Sequence, residues 1–376
     1  MISEPQAVTT RGEGLETAAV GTGASPDERP DRQRSRMSDA PWMAVGIAAV
    51  VVALLAGVVV GPAGPTWWRT ALELLDRLPL ISIDSGISDA QWNIVWQIRA
   101  PRAVLGGLVG ATLSIAGAGY QGVFRNPLVD PYLLGAAAGA GLGATLVFSV
   151  FREVTAGWVI DPAPAMAFLV ALLTVFVTYV VGGAFGGQRT GVTLVLAGVA
   201  VTSFVTAVQT FILQRNVEVV REVYNWILGR LSTAQWGDVR LVTPYVVVSA
   251  VVLLLHRRHL DLLRVGEDEA ATLGAPVARV RLVVVIAATL GTAAVVSVSG
   301  LIGFIGIIIP HFVRLVAGAG HRRVLPLSLM FGAAFLILAD IPGRVLTDPA
   351  ETPIGVVTAF IGAPFFVVVL RARARS

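Results

Sequence analysis

The chain has 376 residues, of which 55% are hydrophobic and only 14% charged, and its mean hydropathy is +0.76. Soluble domains carry about one-quarter charged residues, so this composition excludes an ordinary water-soluble protein and points to lipid as the solvent. All 28 basic residues counted in the formal charge of +4 are arginines, and the absence of Cys excludes disulfides, thiol chemistry and Cys-ligated zinc.

Residues 1–40 are polar, with Pro and Gly scattered through them, and read as a disordered cytoplasmic tail. The first apolar run starts near Pro41, too late for a cleaved signal peptide, and reads as a retained span. Candidate spans then follow at 43–61, 103–123, 131–149, 164–183, 191–213, 240–256, 282–299, 303–318, 325–340 and 353–370. About 20 apolar residues cross the roughly 30 Å hydrocarbon core as a helix. The runs 303–318 and 325–340 are short, so each is expected to borrow flanking residues or to be broken.

The expected fold is therefore all-α, a polytopic bundle of about ten spans over residues 41–371, with 372–376 as a short cytoplasmic end. Ten crossings put both termini on one side. Eighteen of the 28 arginines fall on that side, which makes it cytoplasmic and the chain a multi-pass cell-membrane protein. Ten arginines remain outside, against the trend. Within the spans, GGLVGATLSIAGAG (106–119) and GAAAGAGLGA (135–144) offer small faces on which helix backbones approach closely.

Three connections interrupt the apolar pattern. In QGVFRNPLVDPYLLG (121–135), Pro127 and Pro131 stop helix continuation while Asn126 and Asp130 bond local backbone N–H groups. The loop 214–239 spaces Glu218 with Glu222 and Val219 with Val223 helically, and Trp226 and Trp236 are expected as interfacial anchors. The longest inner loop, 256–281, places Glu267, Asp268 and Glu269 before AATLGA and Pro276. That acidic start, with Gly274 as a cap, suits a short helix that fits a groove in a partner protein; the alternative is a solvated linker. Farther on, GLIG (300–303) and Pro310 predict a strained turn and a broken helix.

Several ordered blocks carry a resemblance: RAPR (99–102), GATLSIAGAGYQGVFRNPLVDPYLLG (110–135), GEDEAATLG (266–274), GLIGFIGIIIPHFVR (300–314), HRRVLPLSLMFGAAFLILAD (321–340) and ETPIGVVTAFIGAPFF (351–366). Together the sequence resembles the FecCD-type permease family, the membrane subunits of type II ABC importers for ferric siderophores, haem and cobalamin. The motif positions matched include Gln121, Arg125, Asn126, Pro127, Asp130, Pro131, Gly135, Pro310, Glu351, Pro353, Gly362 and Pro364. The resemblance implies a permease homodimer or heterodimer, two cytoplasmic ABC ATPases and an extracytoplasmic substrate-binding protein, with membrane lipid around them.

It also implies that the chain is not an enzyme and binds no cofactor, ATP and Mg belonging to the ATPase. A Walker A loop is absent, and no Lys exists to hold a phosphate. His256, His259, His311 and His321 form no HExxH-type metal pair, and no basic stripe with aromatic platforms suggests nucleic acid. By the resemblance, Gly266, Glu267, Ala270, Leu273 and Gly274 belong to an ATPase-coupling helix at 266–276. Arg99, Arg102 and Arg344 match arginines that dock the binding protein; headgroup binding or pairing with Asp340 or Glu351 is the plainer role. Thr202, Ser203, Thr206 and Gln209 are candidates for the path, unless their polar groups simply bond within the helix. Arg189 and Thr190 lie near an expected inner gate. The cargo implied is a ferric siderophore, with haem or cobalamin as alternatives. An ion-coupled secondary carrier is disfavoured because the spans are nearly empty of acids.

Overall fold

The computed structural model describes residues 39–62, 64–77, 85–155, 161–184, 191–346 and 350–374. In chain order the helices are α1 (Asp39–Val59), α2 (Trp67–Asp76), α3 (Asp89–Ile94), α4 (Ala100–Val123), α5 (Ala136–Ser149), α6 (Arg152–Thr155), α7 (Ala163–Ala184) and α8 (Gly191–Arg215). They continue with α9 (Val220–Ile227), α10 (Trp236–Leu255), α11 (Arg257–Leu262), α12 (Glu267–Thr272), α13 (Val277–Ser299), α14 (Ile305–Ala317), α15 (His321–Val345) and α16 (Ile354–Ala374). No strand occurs among the described residues.

Each of the ten expected spans has its helix. Seven are long and apolar enough to cross a membrane, one of them running through α3, a π-helical turn at Val95–Arg99 and α4. The shorter apolar helices are α5, α14 and, within α16, Ile354–Val368. Some boundaries move. The 325–340 run borrows both flanks and becomes the 25-residue α15. The third span begins at Ala136 instead of 131, because Asp130 Oδ1 accepts from Tyr132 N at 2.9 Å and Gly135 turns left-handed at φ 91°. Of the expected 1–40 tail, residues 1–38 lie outside the described residues, and α1 already starts at Asp39. At the other end α16 continues through Ala374.

The middle of the bundle is α4. It packs against α1, α10, α13, α14 and α15, and nearly all of its residues are buried. Close approach makes this possible. A Cβ added to Gly110 would sit 2.1 Å from the Gly332 carbonyl oxygen of α15, and one added to Gly117 would sit 2.1 Å from the Gly306 carbonyl oxygen of α14. In lipid no hydrophobic drive pulls helices together, so such backbone contacts supply the dispersion that does. Buried polar groups are paired across the same interfaces. Tyr120 Oη and Thr289 Oγ1 share a hydrogen bond at 2.7 Å between α4 and α13. Removing either hydroxyl strands the other, a loss of about 1–3 kcal/mol.

The α14 region corrects one expectation. Helix α14 runs through Pro310 unbroken, and the irregular backbone lies upstream, with Gly300 and Phe304 both at φ 70°. A helical proline strips the carbonyl four residues earlier of its donor. That carbonyl, Gly306 O, instead accepts from Gln121 Nε2 at 2.9 Å. The 13 residues of α14 rise only about 20 Å, so the chain at 300–304 sits at membrane depth. Its polar groups are met by protein. Tyr132 Oη donates to Ile302 O at 3.1 Å, and Ile302 N lies 3.2 Å from the same hydroxyl.

Trp226 is a second correction. It is 1% exposed and packs with Ala140, Ala144, Ala293 and Val296 rather than lying in the interface. The Val219/Val223 stripe of the 214–239 connection turns inward, which carries Trp226 with it, while Glu218 and Glu222 stay exposed. Trp236 behaves as an edge residue, donating Nε1–H to Trp96 O at 2.9 Å.

The glycine contacts predict a sharp contrast. Gly117→Ala should destabilise the detergent-solubilised protein by about 1–3 kcal/mol, since backbone and not a flexible side chain must move. Gly237→Ala, where an added Cβ meets nothing within 4 Å, should leave the thermal midpoint unchanged or slightly raised. Thermal unfolding of both variants checks this.

Candidate functional site

Helix polarity sorts the candidate residues into two ends of the bundle. One end gathers the start of α1, the 121–131 turn, α11, α12 and the start of α15. Asp39 ties it together by pairing with Arg322 at 2.9 Å and Arg323 at 2.7 Å. The other end gathers the end of α1, the start of α4 and the segment joining α15 to α16.

At the first end, the 256–281 connection folds into two short helices. Gly266 precedes α12 at φ 141°, where an added Cβ would lie 1.7 Å from a Glu269 carboxylate oxygen, so only glycine fits. Glu267, Asp268 and Glu269 occupy the first turn. Ala270 is fully buried beneath the helix, whereas Leu273 is 65% exposed. Gly274 closes the helix left-handed at φ 84°, with its N–H on Ala271 O at 2.9 Å and Ala275 N on Ala270 O at 2.9 Å.

The rigid part of this arrangement is not local. Glu267 forms an ion pair with Arg281 of α13, which is itself buried. A push on α12 therefore reaches α13 through a charged contact as well as through the Ala275–Pro276 turn. Sequence reasoning gave Arg281 no role, because a partner 14 residues away follows no helical spacing.

The neighbouring 121–135 turn holds its motif residues as expected. Asn126 Oδ1 accepts from Leu128 N at 3.0 Å. Gln121 spends its whole amide: Nε2 donates to Gly306 O and to Val129 O at 3.2 Å, and Oε1 accepts from Arg314 at 2.7 Å. Burial pushes the Asp130 carboxyl up to about 6, against the lowering effect of the Tyr132 N–H.

The arginines of the opposite end are not free cations. Arg99, Arg102 and Arg344 are 3%, 7% and 2% exposed. Arg99 donates to the carbonyls of Val59 at 3.0 Å, Gly61 at 3.1 Å and Pro65 at 3.3 Å, satisfying acceptors left open where α1 ends. Arg102 grips Asp340 with two bonds of 2.8 Å and Glu351 with bonds of 2.9 and 2.8 Å. Arg344 donates to Gly57 O at 2.9 Å and lies 3.6 Å from Asp340. The plainer role, pairing with Asp340 or Glu351, is thus met within the chain for Arg102 and Arg344, whereas Arg99 bonds backbone carbonyls instead.

The path candidates separate. Gln209 is buried and donates to Thr145 Oγ1 of α5 at 3.1 Å, and Thr202 lies against Gly135. Ser203 and Thr206 are exposed, and Ser203 bonds its own helix at Val199 O, 2.9 Å away. Arg189 and Thr190 lie outside the described residues. Of the remaining motif positions, Gly362 is buried against Phe304, Pro364 lies within α16, and Pro353 accepts the first bonds of that helix. Among the described residues no cluster of His and acidic groups could hold a metal.

The arginine cluster yields an ordering that denaturation can measure. Asp340→Ala strands Arg102 and Arg344 in a buried setting and should cost about 3–5 kcal/mol. Glu351→Gln alters a partner whose side chain is 34% exposed and should cost under about 1 kcal/mol. Equal losses for the two variants would contradict the assigned hierarchy.

Comparison with known proteins fits this geometry. The model of the FecCD transport family matches residues 45–372. The cobalamin import system permease protein BtuC of Halobacterium salinarum is 40% identical over 331 residues, 88% of this chain and 86% of that protein. The hemin transport system permease protein HmuU of Yersinia pestis is 35% identical over 77% of this chain and 87% of its own length. A solved structure described as an inward-facing metal-chelate type ABC transporter superposes with a TM-score of 0.74 at 28% identity, covering 89% of this chain and 99% of that one. A membrane bundle with seven long and three shorter apolar helices among the described residues, carrying these motifs and matched along nearly its whole length, belongs to the FecCD transport family, whose members are permease subunits of ABC importers and not enzymes.

Proposed function

We propose that this chain carries a bulky metal–organic chelate inward across the cell membrane, as one of two permease subunits driven by separate ATPases and supplied by an external binding protein. The observation that carries the reading is α12: a capped helix with Ala270 buried, Leu273 exposed and Glu267 fastened to α13. An exposed apolar tip on a rigid mount suits a partner's groove, and a flexible tether would dissipate the motion. The arginine distribution supports a cytoplasmic location for this end and for both termini.

For cargo we propose cobalamin, with haem the other alternative to the ferric siderophore implied by the motifs alone. In support, the cobalamin permease named above is 40% identical, against 37% for the ferric enterobactin permease FepD of Escherichia coli. Neither chelate needs a metal ligand on this chain, since the metal crosses inside its own ligands. An apolar cavity of about 510 Å3, lined by Ile227, Leu301, Phe304, Val356 and Phe360 among others, supports a second permease subunit as the neighbour of α16. Ser203 and Thr206, exposed on α8, remain path candidates, and Arg189 and Thr190 remain gate candidates.

The docking role of Arg99, Arg102 and Arg344 takes a specific form. Acidic side chains of the binding protein would have to replace acceptors that these arginines already hold, and Glu351 is the one nearest to solvent. On this reading Glu351→Gln frees an Arg102 N–H pair and should tighten capture of the binding protein severalfold at low salt. Association measured over a salt series checks it; identical affinities at every ionic strength would remove Arg102 from the docking surface.

Leu273→Glu should abolish copurification of the ATPase and ATP-driven uptake while leaving membrane insertion intact. Normal uptake by that variant would defeat the coupling assignment. Proteoliposomes containing both partners should take up cobalamin in preference to a ferric siderophore or haem; exclusive siderophore uptake would reverse the cargo choice and leave the transporter reading standing.

A further inference from the structure

Below the 121–135 turn lies a cavity of about 290 Å3 that the transport reading does not use. Its lining includes Arg125, Arg264, Arg314 and His321, and no carboxylate. Arg125 and Arg264 are exposed at the mouth, while Arg314 is half-buried and donates to Gln121 Oε1. Asp261, outside this lining, contacts two of its residues. It accepts from His321 N at 2.8 Å and from the His321 ring at Nδ1, 3.0 Å away, with Arg264 at 3.7 Å. Burial raises the Asp261 carboxyl, but these partners outweigh it and hold the group below the usual range, so it stays ionised.

The histidine supplies an independent observation. His321 is 4% exposed, and its Nε2 is buried with no hydrogen-bond partner. Nδ1–H donates to Asp261, and in the neutral ring that tautomer presents Nε2 as an acceptor. It lies beside Gly122, where an added Cβ would come within 2.8 Å of it. An unpaired buried acceptor in a cavity ringed by guanidinium groups wants a ligand that is anionic and also carries a hydroxyl donor.

We infer that this cavity is a binding site for a phosphate group bearing a hydroxyl, met either by the headgroup of phosphatidylglycerol or by inorganic phosphate. The forked donors of Arg125, Arg264 and Arg314 match phosphate oxygens, and the hydroxyl donates to His321 Nε2. Three arginines against one carboxylate outside the lining leave the cavity electropositive. Its place at the ends of α4, α11 and α14 brings it to the membrane surface, where lipid phosphates lie. The phosphate would bridge the 121–135 turn to the connection that carries α12.

Native mass spectrometry of the full-length chain tests this, with phosphatidylglycerol and phosphatidylethanolamine titrated separately and inorganic phosphate assayed by thermal shift. The wild type should retain one phosphatidylglycerol per chain more tightly than phosphatidylethanolamine. Arg125→Gln with Arg264→Gln should weaken that retention about tenfold or more, with the lipid-free melting temperature unchanged. His321→Gln should reduce the preference for phosphatidylglycerol over phosphatidylethanolamine. If no lipid is retained but inorganic phosphate raises the melting temperature of the wild type and not of the double variant, the occupant is free phosphate and the site stands. Equal binding of both probes by wild type and double variant overturns the inference. So does failure of both probes to bind the wild type, including the case where the double variant instead loses its ATPase, which would assign the cavity to a protein carboxylate.

Discussion

Inside hydrocarbon a peptide group has no water to bond, and every other feature of this bundle answers to that constraint. Helices satisfy it automatically; the places where helices stop do not. At 300–304 the backbone turns left-handed twice at membrane depth, and Tyr132 from the 121–135 turn reaches across to bond Ile302. Pro310 opens a carbonyl within α14, and Gln121 closes it. Each irregularity is thus paired with a side chain from the last turn of α4 or the turn that follows it, which accounts for the dense motif at 121–135. Such turns would be exposed loops in water; here they are parts of the core.

The same low-dielectric setting governs the charges. Arg102 is acceptable near the end of the bundle because Asp340 and Glu351 surround it, and Arg99 because it meets carbonyls that α1 leaves open. These groups stitch α1, α4, α15 and the approach to α16 into one rim. At the other end Glu267 and Arg281 join α12 to a long span. A transporter has to transmit force between its ends, and both ends of this one are tied to the bundle by ionic contacts with little compliance. The glycine-mediated contact of α4 with α14 and α15 supplies the stiff middle.

The arginine rim also limits how docking can work. A cation already holding two carboxylates gains little from a third unless one of the first two yields. Exposure of Glu351, against the burial of Asp340, identifies which partner can yield. On the proposed docking role, attraction to a binding protein would act by exchange of partners and depend on ionic strength mainly through the exposed group.

Residue order and hydropathy alone determined that the chain is a membrane bundle, and they located the seven long and three shorter apolar helices, because about 20 apolar residues in lipid have few alternatives to a helix. They also located the acidic start of α12 and the Asn126 and Asp130 turns, whose hydrogen bonds are local. What they could not determine was which distant groups meet. The Glu267–Arg281 pair, the burial of Trp226 and of the three rim arginines, the unbroken course of α14 through Pro310 and the electropositive cavity at His321 all join residues from separate helices. Periodicity along one helix carries no information on the neighbour that helix acquires; only the packed bundle, by setting those distances, decided them.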